Sequence, residues 1–418
     1  MVKNIILFVG NFPKEIDSVR AYMAETHRDF RLALLHRKYK VQNYPKGKLD
    51  IILTCDLNSP DDITKTLLPY QNELFVITCA DEKSVQYLKK IISYVPYLNT
   101  PTSESLEWAT NKITMREKLS IYDKTITPNY SIVCDTTKKT IKGIIEKVGF
   151  PLLIKPSGLA SSMLVNLCYH EEELEQNLKM TFRKIRSLYK KVDGRGEPTV
   201  LVEQFMEGKM YSIDGYIDGN GEIYLCPLVR VKTGRSCGFD DFFGYERITP
   251  TLLQEETMQA AEETAKKAIY ALGLRNTSAH IELMHTPQGW KVIELGPRIG
   301  GYRHKMYSLS YGINHAVNDI LIRIPEKPII PKKVNGYTAT LMFFAKKEGK
   351  LLKLNGIKKI QELLSFVEII INKKVGDMCR FAKNGGSFVV TVTLFNENRS
   401  KLLADIRRLE QTIVIETA

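Results

Sequence analysis

A chain of 418 residues is too long for one ordinary core, so two to four domains are expected. Hydrophobic residues at 44% and charged residues at 26% give the profile of a soluble globular protein, and no run approaches the roughly 18 apolar residues that a membrane span needs. The net charge of +13 raises nucleic acid or a membrane surface as partners, but the lysines are spread along the chain. The densest basic groups are short, such as Arg183-Lys184-Ile185-Arg186, and no aromatic-basic module interleaves them, so a solvated basic surface suited to anionic ligands is expected. The seven cysteines are scattered, odd in number and without a C-x-x-C pair, which fits reduced thiols and a cytoplasmic location.

Met1-Val2-Lys3-Asn4 followed by Ile5–Val9 has the outline of a short signal peptide. The apolar run meets Gly10-Asn11-Phe12-Pro13 without a small-residue cleavage site, so a buried first strand is expected instead. Ile51–Thr54 and Leu74–Thr78 are further short apolar runs, and Val85, Leu88, Ile91 and Ile92 between such runs keep helical spacing. Strands alternating with helices imply a small, mostly parallel α/β sheet over residues 1–104. No G-x-G-x-x-G follows the first strand, so a dinucleotide site is not supported.

From about residue 104 the texture changes. One helix is expected through Leu106, Ala109, Ile113 and Leu119, ending before Thr127-Pro128. A helix at Ile141–Val148, a strand at Leu152–Lys155, a glycine/serine-rich loop and a strand at Met163–Tyr169 follow, then a charged helix at Glu171–Lys191 and a polar loop through Asp193–Pro198. Strands are expected at Val200–Phe205, Met210–Ile217 and Glu222–Lys232, the last two joined through Asp218-Gly219-Asn220-Gly221, a strong hairpin signal. Gly234–Gly244 reads as a mobile loop. A helix over 251–272 leads to a second hairpin, Ser278–His285 and Trp290–Leu295. Pro325, Pro328 and Pro331 mark a boundary, and the alternating segments Tyr337–Phe344, Ser365–Ile371 and Ser387–Phe395 with a helix at about 397–410 imply a smaller α+β domain over 332–418.

The second hairpin carries the sharpest chemical signal. Glu282 and Glu294 flank its turn, and the sequence leaves open whether they stand directly opposite. Like charges across a strand pair destabilise, and a carboxylate within an apolar strand is costly. A magnesium ion held by two carboxylates and phosphate oxygens removes both objections. The bland reading, two solvent-facing glutamates with Arg298 paired to one of them, is nearly as good on the hairpin alone. Upstream, Lys155 ends a buried strand and opens onto Ser157-Gly158-Leu159-Ala160-Ser161-Ser162, small residues whose amides could close over phosphates. No Walker-type G-x-x-x-x-G-K-[ST] occurs. The apolar strand Val200-Leu201-Val202 runs into Glu203-Gln204-Phe205-Met206, an extended segment able to offer backbone groups to an adenine edge.

The order and spacing of these pieces over residues 105–325 resemble the ATP-grasp superfamily, specifically its carboxylate–amine ligase branch. The resemblance implies an α/β and α+β protein with an N-terminal Rossmann-like domain (1–104), a central two-lobed ATP-grasp domain (105–325) and a small C-terminal domain (332–418). It implies that Lys112 and Lys155 contact ATP phosphates, that Ser161 and Ser162 lie in the loop over them, and that Glu203, Gln204, Phe205 and Met206 line the adenine. Glu282 and Glu294 would bind magnesium (or manganese), and Arg298 would steady the transferred phosphoryl group. Two positions depart from the family pattern: Met210 stands where a ribose-binding glutamate is common, and Gly296 where an asparagine metal ligand is common. Gly385-Gly386-Ser387-Phe388-Val389 and the helix through Leu402 resemble the C-terminal domain of L-amino-acid ligases. The implied substrates are a small carboxylic acid and an amine, amino acids among them, with Arg303 and His304 near them and the Gly234–Gly244 loop as a specificity element. A homodimer is the default oligomer. A biotin-carboxylase-like enzyme, a nucleotide-binding protein without catalysis and a nucleic-acid binder are the competing readings.

Overall fold

The computed structural model describes residues 3–38, 47–157, 163–192 and 199–418, with 189–192 described by backbone alone. Ser161 and Ser162, with the rest of their loop from 158, and the polar loop at 193–198 lie outside the described residues.

The expected first strand is β1 (Ile5–Val9), buried at every position. It is flanked by β2 (Arg31–Arg37), β3 (Ile51–Cys55) and β4 (Leu74–Cys79) in the order β3-β2-β1-β4, all parallel. A continuous apolar run suits a parallel strand covered on both faces. Helices α1 (Ile16–Glu25), α2 (Pro60–Leu67) and α3 (Glu82–Ile91) supply the cover. The start of α2 is set by Ser59, whose side chain accepts from the Asp62 amide, with Pro60 as the first helical residue.

Where one helix is expected through Leu106–Leu119 there are two, α4 (Ser103–Thr110) and α5 (Lys112–Tyr122). Asn111 adopts an extended conformation and its side chain accepts from the Ile113 amide, so a good N-cap residue breaks an otherwise helical pattern. The small lobe then forms from β5 (Tyr130–Val133), α6 (Lys138–Val148), β6 (Leu152–Pro156), β7 (Asn166–Cys168), α7 (Glu171–Val192) and β8 (Val200–Gln204). Its antiparallel sheet runs β5-β8-β6-β7, and β7 is shorter than the Met163–Tyr169 expectation.

The large sheet begins with β9 (Lys209–Ile217) and β10 (Ile223–Leu225), the expected hairpin. Pro227, which has no amide to donate, separates β10 from β11 (Val229–Thr233), so the single strand expected at Glu222–Lys232 is two. The Gly234–Gly244 segment is built rather than loose: a short 3-10 turn spans Gly234–Cys237, Asp241 is buried, and the Phe243 ring lies 4.0 Å from that of Phe344. It feeds β12 (Gly244–Thr249), a strand without a sequence signal of its own. Helix α8 (Glu255–Ala271) and the hairpin β13 (Thr277–Thr286) and β14 (Gly289–Gly296) follow, then α9 (Arg303–Tyr311) and α10 (His315–Leu321). The last segment contributes β15 (Tyr337–Phe343), β16 (Gly349–Asn355), α11 (Ile357–Gln361), β17 (Phe366–Ile371), β18 (Met378–Cys379), β19 (Val390–Asn396), α12 (Arg399–Thr412) and β20 (Val414–Thr417).

Among the described residues the large sheet runs β14-β13-β9-β11-β12-β15-β19-β17, so strands on both sides of the proline-marked segment share one sheet. On one side α5 and α8 cover it through Met115, Leu119, Ala265 and Ile269. Helix α10 packs Ala316, Val317 and Ile320 against Ile6 and Phe8 of β1, tying the N-terminal sheet to the rest. No helix among the described residues is long and apolar enough to cross a membrane.

Candidate functional site

A cavity, partly open to solvent, lies between the small lobe and the large sheet. Lys155 from β6 and Glu203 from β8 enter it from one side, Met210, Glu282 and Glu294 from the other, and Lys112 and Arg116 of α5 from below. Phe205 and Met206, just past β8, also line it. Eight of the residues singled out in the sequence can be located around one space or close to it. Gln204 is exposed, as the alternation of a strand requires next to buried Glu203.

Glu203 is almost wholly buried, and its carboxylate accepts from Arg116 Nε through one oxygen and from Lys155 Nζ at 2.5 Å through the other. Burial alone would raise its pKa; the charges of Arg116 and Lys155 outweigh burial and hold it at about 2. Arg116 also donates to the carbonyls of Val292 (2.9 Å) and Ile293, so one guanidinium ties α5 to β8 and β14. Sequence reading passed over Arg116. Its signal is there: it lies four residues after Lys112 and next to Met115, on the helix face that also carries Leu119.

On the large-sheet side of the cavity the hairpin register is settled. The turn has only Pro287 and Gln288 between the paired Thr286 and Gly289, and the ladder places Glu282 directly opposite Glu294. A bulge between Glu282 and Leu283 restores the register that a simple two-residue turn would shift. Lys112 Nζ approaches Glu294 Oε1 at 3.3 Å. His280 Nε2 lies 3.7 Å from Glu282 Oε1, while its Nδ1 is 3.1 Å from Asp214 Oδ1. Burial opposes ionisation of Glu282, but His280, Arg303 and Arg247 prevail and bring it down to about 2. Burial likewise lowers His280, and Asp214 and Glu282 more than compensate, leaving it raised.

Asp214, fully buried, also accepts from the Gly300 amide at 2.7 Å. A Cβ on Gly300 would stand 2.4 Å from His280 Nδ1, so only glycine lets the chain close over this pair. The donor set therefore fits magnesium in its usual manner, two opposed carboxylates with the remaining positions left to phosphate and water. No group of three His, Cys, Asp or Glu side chains is arranged for a metal ion among the described residues.

Arg298 does not line the cavity. Its Nε donates to Glu82 Oε2 at 2.9 Å, joining the hairpin to α3 of the N-terminal sheet. This ion pair fills the space beside Gly296, where a Cβ would lie 3.2 Å from Glu82 Oε2 and 3.3 Å from Arg298 Cζ. His304 pairs with Glu15 at 2.7 Å. Arg303 is buried and donates to Ser212 Oγ from Nε (3.1 Å) and Nη2 (2.7 Å). Met210 lines the cavity with an apolar side chain.

Two lobes thus enclose a cavity lined by lysines, an ion-paired glutamate and two opposed carboxylates. Residues 148–305 match the model of the ATP-grasp domain, and the chain carries such a domain. An uncharacterized protein of Sinorhizobium fredii is 25% identical over 278 residues, covering 66% of this chain and 54% of its own length. Alanine–anticapsin ligase of Bacillus subtilis is 31% identical over 159 residues, covering 35% of this chain and 33% of its own. The chain thus spans about half or less of these two relatives. Among solved structures, L-amino acid ligase from Bacillus licheniformis superposes over 100% of this chain and 99% of its own with a TM-score of 0.79, at 18% identity, a likeness of fold.

Proposed function

We propose that the chain is an ATP-dependent carboxylate–amine ligase that forms an amide or peptide bond through an acyl phosphate, releasing ADP and phosphate. The observation that carries this reading is the direct opposition of Glu282 and Glu294 in a cavity that Lys155 and Glu203 also line. Ligases that join amino acids stand among the sequence relatives, D-alanine–D-alanine ligase of Flavobacterium johnsoniae as well as the anticapsin enzyme, and support it.

In this reading a carboxylate oxygen of one substrate attacks the γ-phosphorus of ATP. The new O–P bond forms as the bond to ADP breaks. The amine of the second substrate then attacks the acyl carbon, phosphate departs, and the nitrogen sheds its proton to give the amide. A carboxylate is a poor electrophile until its oxygen becomes part of a phosphate leaving group, so the protein's task is positioning and charge compensation. Magnesium held by Glu282 and Glu294 would neutralise phosphate charge. Lys112 and Lys155 face the same charge from α5 and β6. Phe205 and Met206 give an apolar wall for the adenine. Arg298, released from Glu82, would meet the transferred phosphoryl group bidentately.

The test is phosphate release from ATP and magnesium in the presence of paired acids and amines. Glu294→Gln is expected to lower the rate by about 100- to 1,000-fold. Release by Glu294→Gln at the native rate would remove the metal assignment, and absence of acid-dependent release from the native chain would remove the ligase reading.

A further inference from the structure

The cross-strand pairs of the large sheet set the site in two adjacent rows. Ser212, Glu282 and Glu294 are paired across β9, β13 and β14, and the next row on the same face holds Asp214, His280 and Gly296. Glu282 and Glu294 line the cavity, whereas His280 and Asp214 are buried beside them. The two carboxylates of the first row are answered differently. Glu294 has Lys112, a long side chain of α5 that lines the same cavity. For Glu282 the one cation within 4 Å among the described residues is His280. Ser212, its neighbour in the row, is taken by Arg303.

His280 has little freedom to turn away. Its Nδ1 lies 3.1 Å from Asp214 Oδ1, and the Gly300 amide donates to that same oxygen at 2.7 Å. The Gly300 backbone comes so close that a Cβ there would stand 2.4 Å from Nδ1 and 2.7 Å from Cε1. Nε2 is left facing Glu282 Oε1 at 3.7 Å. Asp214 Oδ2 has no hydrogen bond among the described residues. A buried acid kept only to close the fold is expected to have both oxygens satisfied. This one gives its hydrogen bonds to the ring and to the loop that confines the ring.

We propose that His280, backed by Asp214, is a positioning residue for the metal site: it fixes the Glu282 carboxylate for the divalent cation. This rests on the magnesium assignment in the reading above. Carboxylates that hold a metal are themselves held by outer partners, and loss of such a partner weakens metal binding by about 10- to 100-fold. The need is greater here because Gly296, the third member of the second row, brings no side chain to the cation.

Two substitutions separate the two ends of the ring. The amide nitrogen of Asn stands where Nδ1 stands and that of Gln where Nε2 stands, so His280→Asn keeps the donor toward Asp214 and His280→Gln the donor toward Glu282. Manganese binding in the presence of ADP, read from the electron paramagnetic resonance of the free ion, is expected to weaken about 10-fold in His280→Asn and much less in His280→Gln. ADP affinity without metal and the thermal unfolding midpoint should stay near native in His280→Asn. Phosphate release by that variant should need about 10-fold more magnesium for half its maximal rate and approach the native kcat at saturation. Native manganese affinity in His280→Asn overturns the proposal, and so does an equal loss in both variants, which would make the ring part of the packing only. If His280→Asn does not fold, Asp214→Asn takes its place, since it keeps an acceptor for the Gly300 amide and removes the charge behind the ring. Weaker manganese binding then supports the proposal, and native affinity overturns it. Glu294→Gln marks a failure of the underlying reading: manganese held by that variant as tightly as by the native chain would remove the magnesium assignment, and the proposal with it.

Discussion

Glu203 and Arg247 are both charged residues on strands of this fold, and the molecule treats them in opposite ways. Glu203 is enclosed and answered twice, by Arg116 and by Lys155. Arg247 is placed with equal care, in a gap that Gly244 opens, yet has only a carbonyl and a thioether beside it. A buried charge that the chain itself neutralises belongs to the architecture. One that only a carbonyl and a thioether contact, with the Glu282 charge acting from further off, is held less firmly. The contrast can be broken most directly by removing the cation from each side. Arg116→Met strands a buried carboxylate with Lys155 alone and frees two carbonyls, so the unfolding transition should move by about 3–5 kcal/mol toward the unfolded chain. Arg247→Met removes a charge that, among the described residues, is contacted only by a carbonyl and a thioether, and should leave stability within about 0.5 kcal/mol or improve it. Denaturant midpoints for the two variants measure the difference; equal losses would show that Arg247 is also held by the architecture.

A pH series sharpens the same contrast with a smaller effect. Glu203 is held at about 2 in the folded chain, below an ordinary glutamate near 4.3 in the unfolded one. A depressed carboxylate stabilises the fold fully above the unfolded value, and the contribution disappears as pH falls through about 2. The native chain should therefore lose thermal stability between about pH 4.5 and pH 2 more steeply than Glu203→Gln does. Parallel curves would mean that the Arg116 and Lys155 charges do not favour the ionised form.

How far this was legible in the sequence depended on whether the chemistry lay within one segment or across several. The N-terminal parallel sheet could be read from runs such as Ile5–Val9 because buried parallel strands are continuously apolar. Glu282 and Glu294 could be chosen because a carboxylate in an apolar strand is conspicuous, while their opposition awaited the bulge at Glu282. The acid at 203 was found, but its answer from Arg116 was not, since those residues are 87 positions apart and no periodicity links them. Arg298 offered a plausible guanidinium, and its partner Glu82 belongs to helix α3, which covers a different sheet. Strands β2, β5, β12, β16, β18 and β20 were missed; of these, Gly244–Thr249, Gly349–Asn355 and Val414–Thr417 mix charge and apolar residues without a run that stands out. Their pairing is made by neighbours rather than by their own composition.

The finest test concerns α5, which holds one residue of each kind: Arg116, enclosed by the fold, and Lys112, which touches Glu294 from the cavity rim. Asn111 caps this helix through its side-chain oxygen and the Ile113 amide at 3.0 Å, and Lys112 is the first helical residue after it. Asn111→Ala should cost about 1 kcal/mol. The loss should fall on the first turn, because fraying begins at a helix end whose amides lack partners. Lys112 would then lose its fixed approach to Glu294, while Arg116, one turn further in, keeps its hold on Glu203. The expected outcome is a several-fold rise in the KM for ATP and faster amide exchange at residues 113–115, with the pH dependence set by Glu203 unchanged. Asn111→Asp keeps an acceptor at the same place and adds a charge favourable to a helix N-terminus, so it should restore both. If instead Asn111→Ala flattens the acid side of the stability curve, the helix moves as one body, and the division between its enclosed and its cavity-facing cation does not hold.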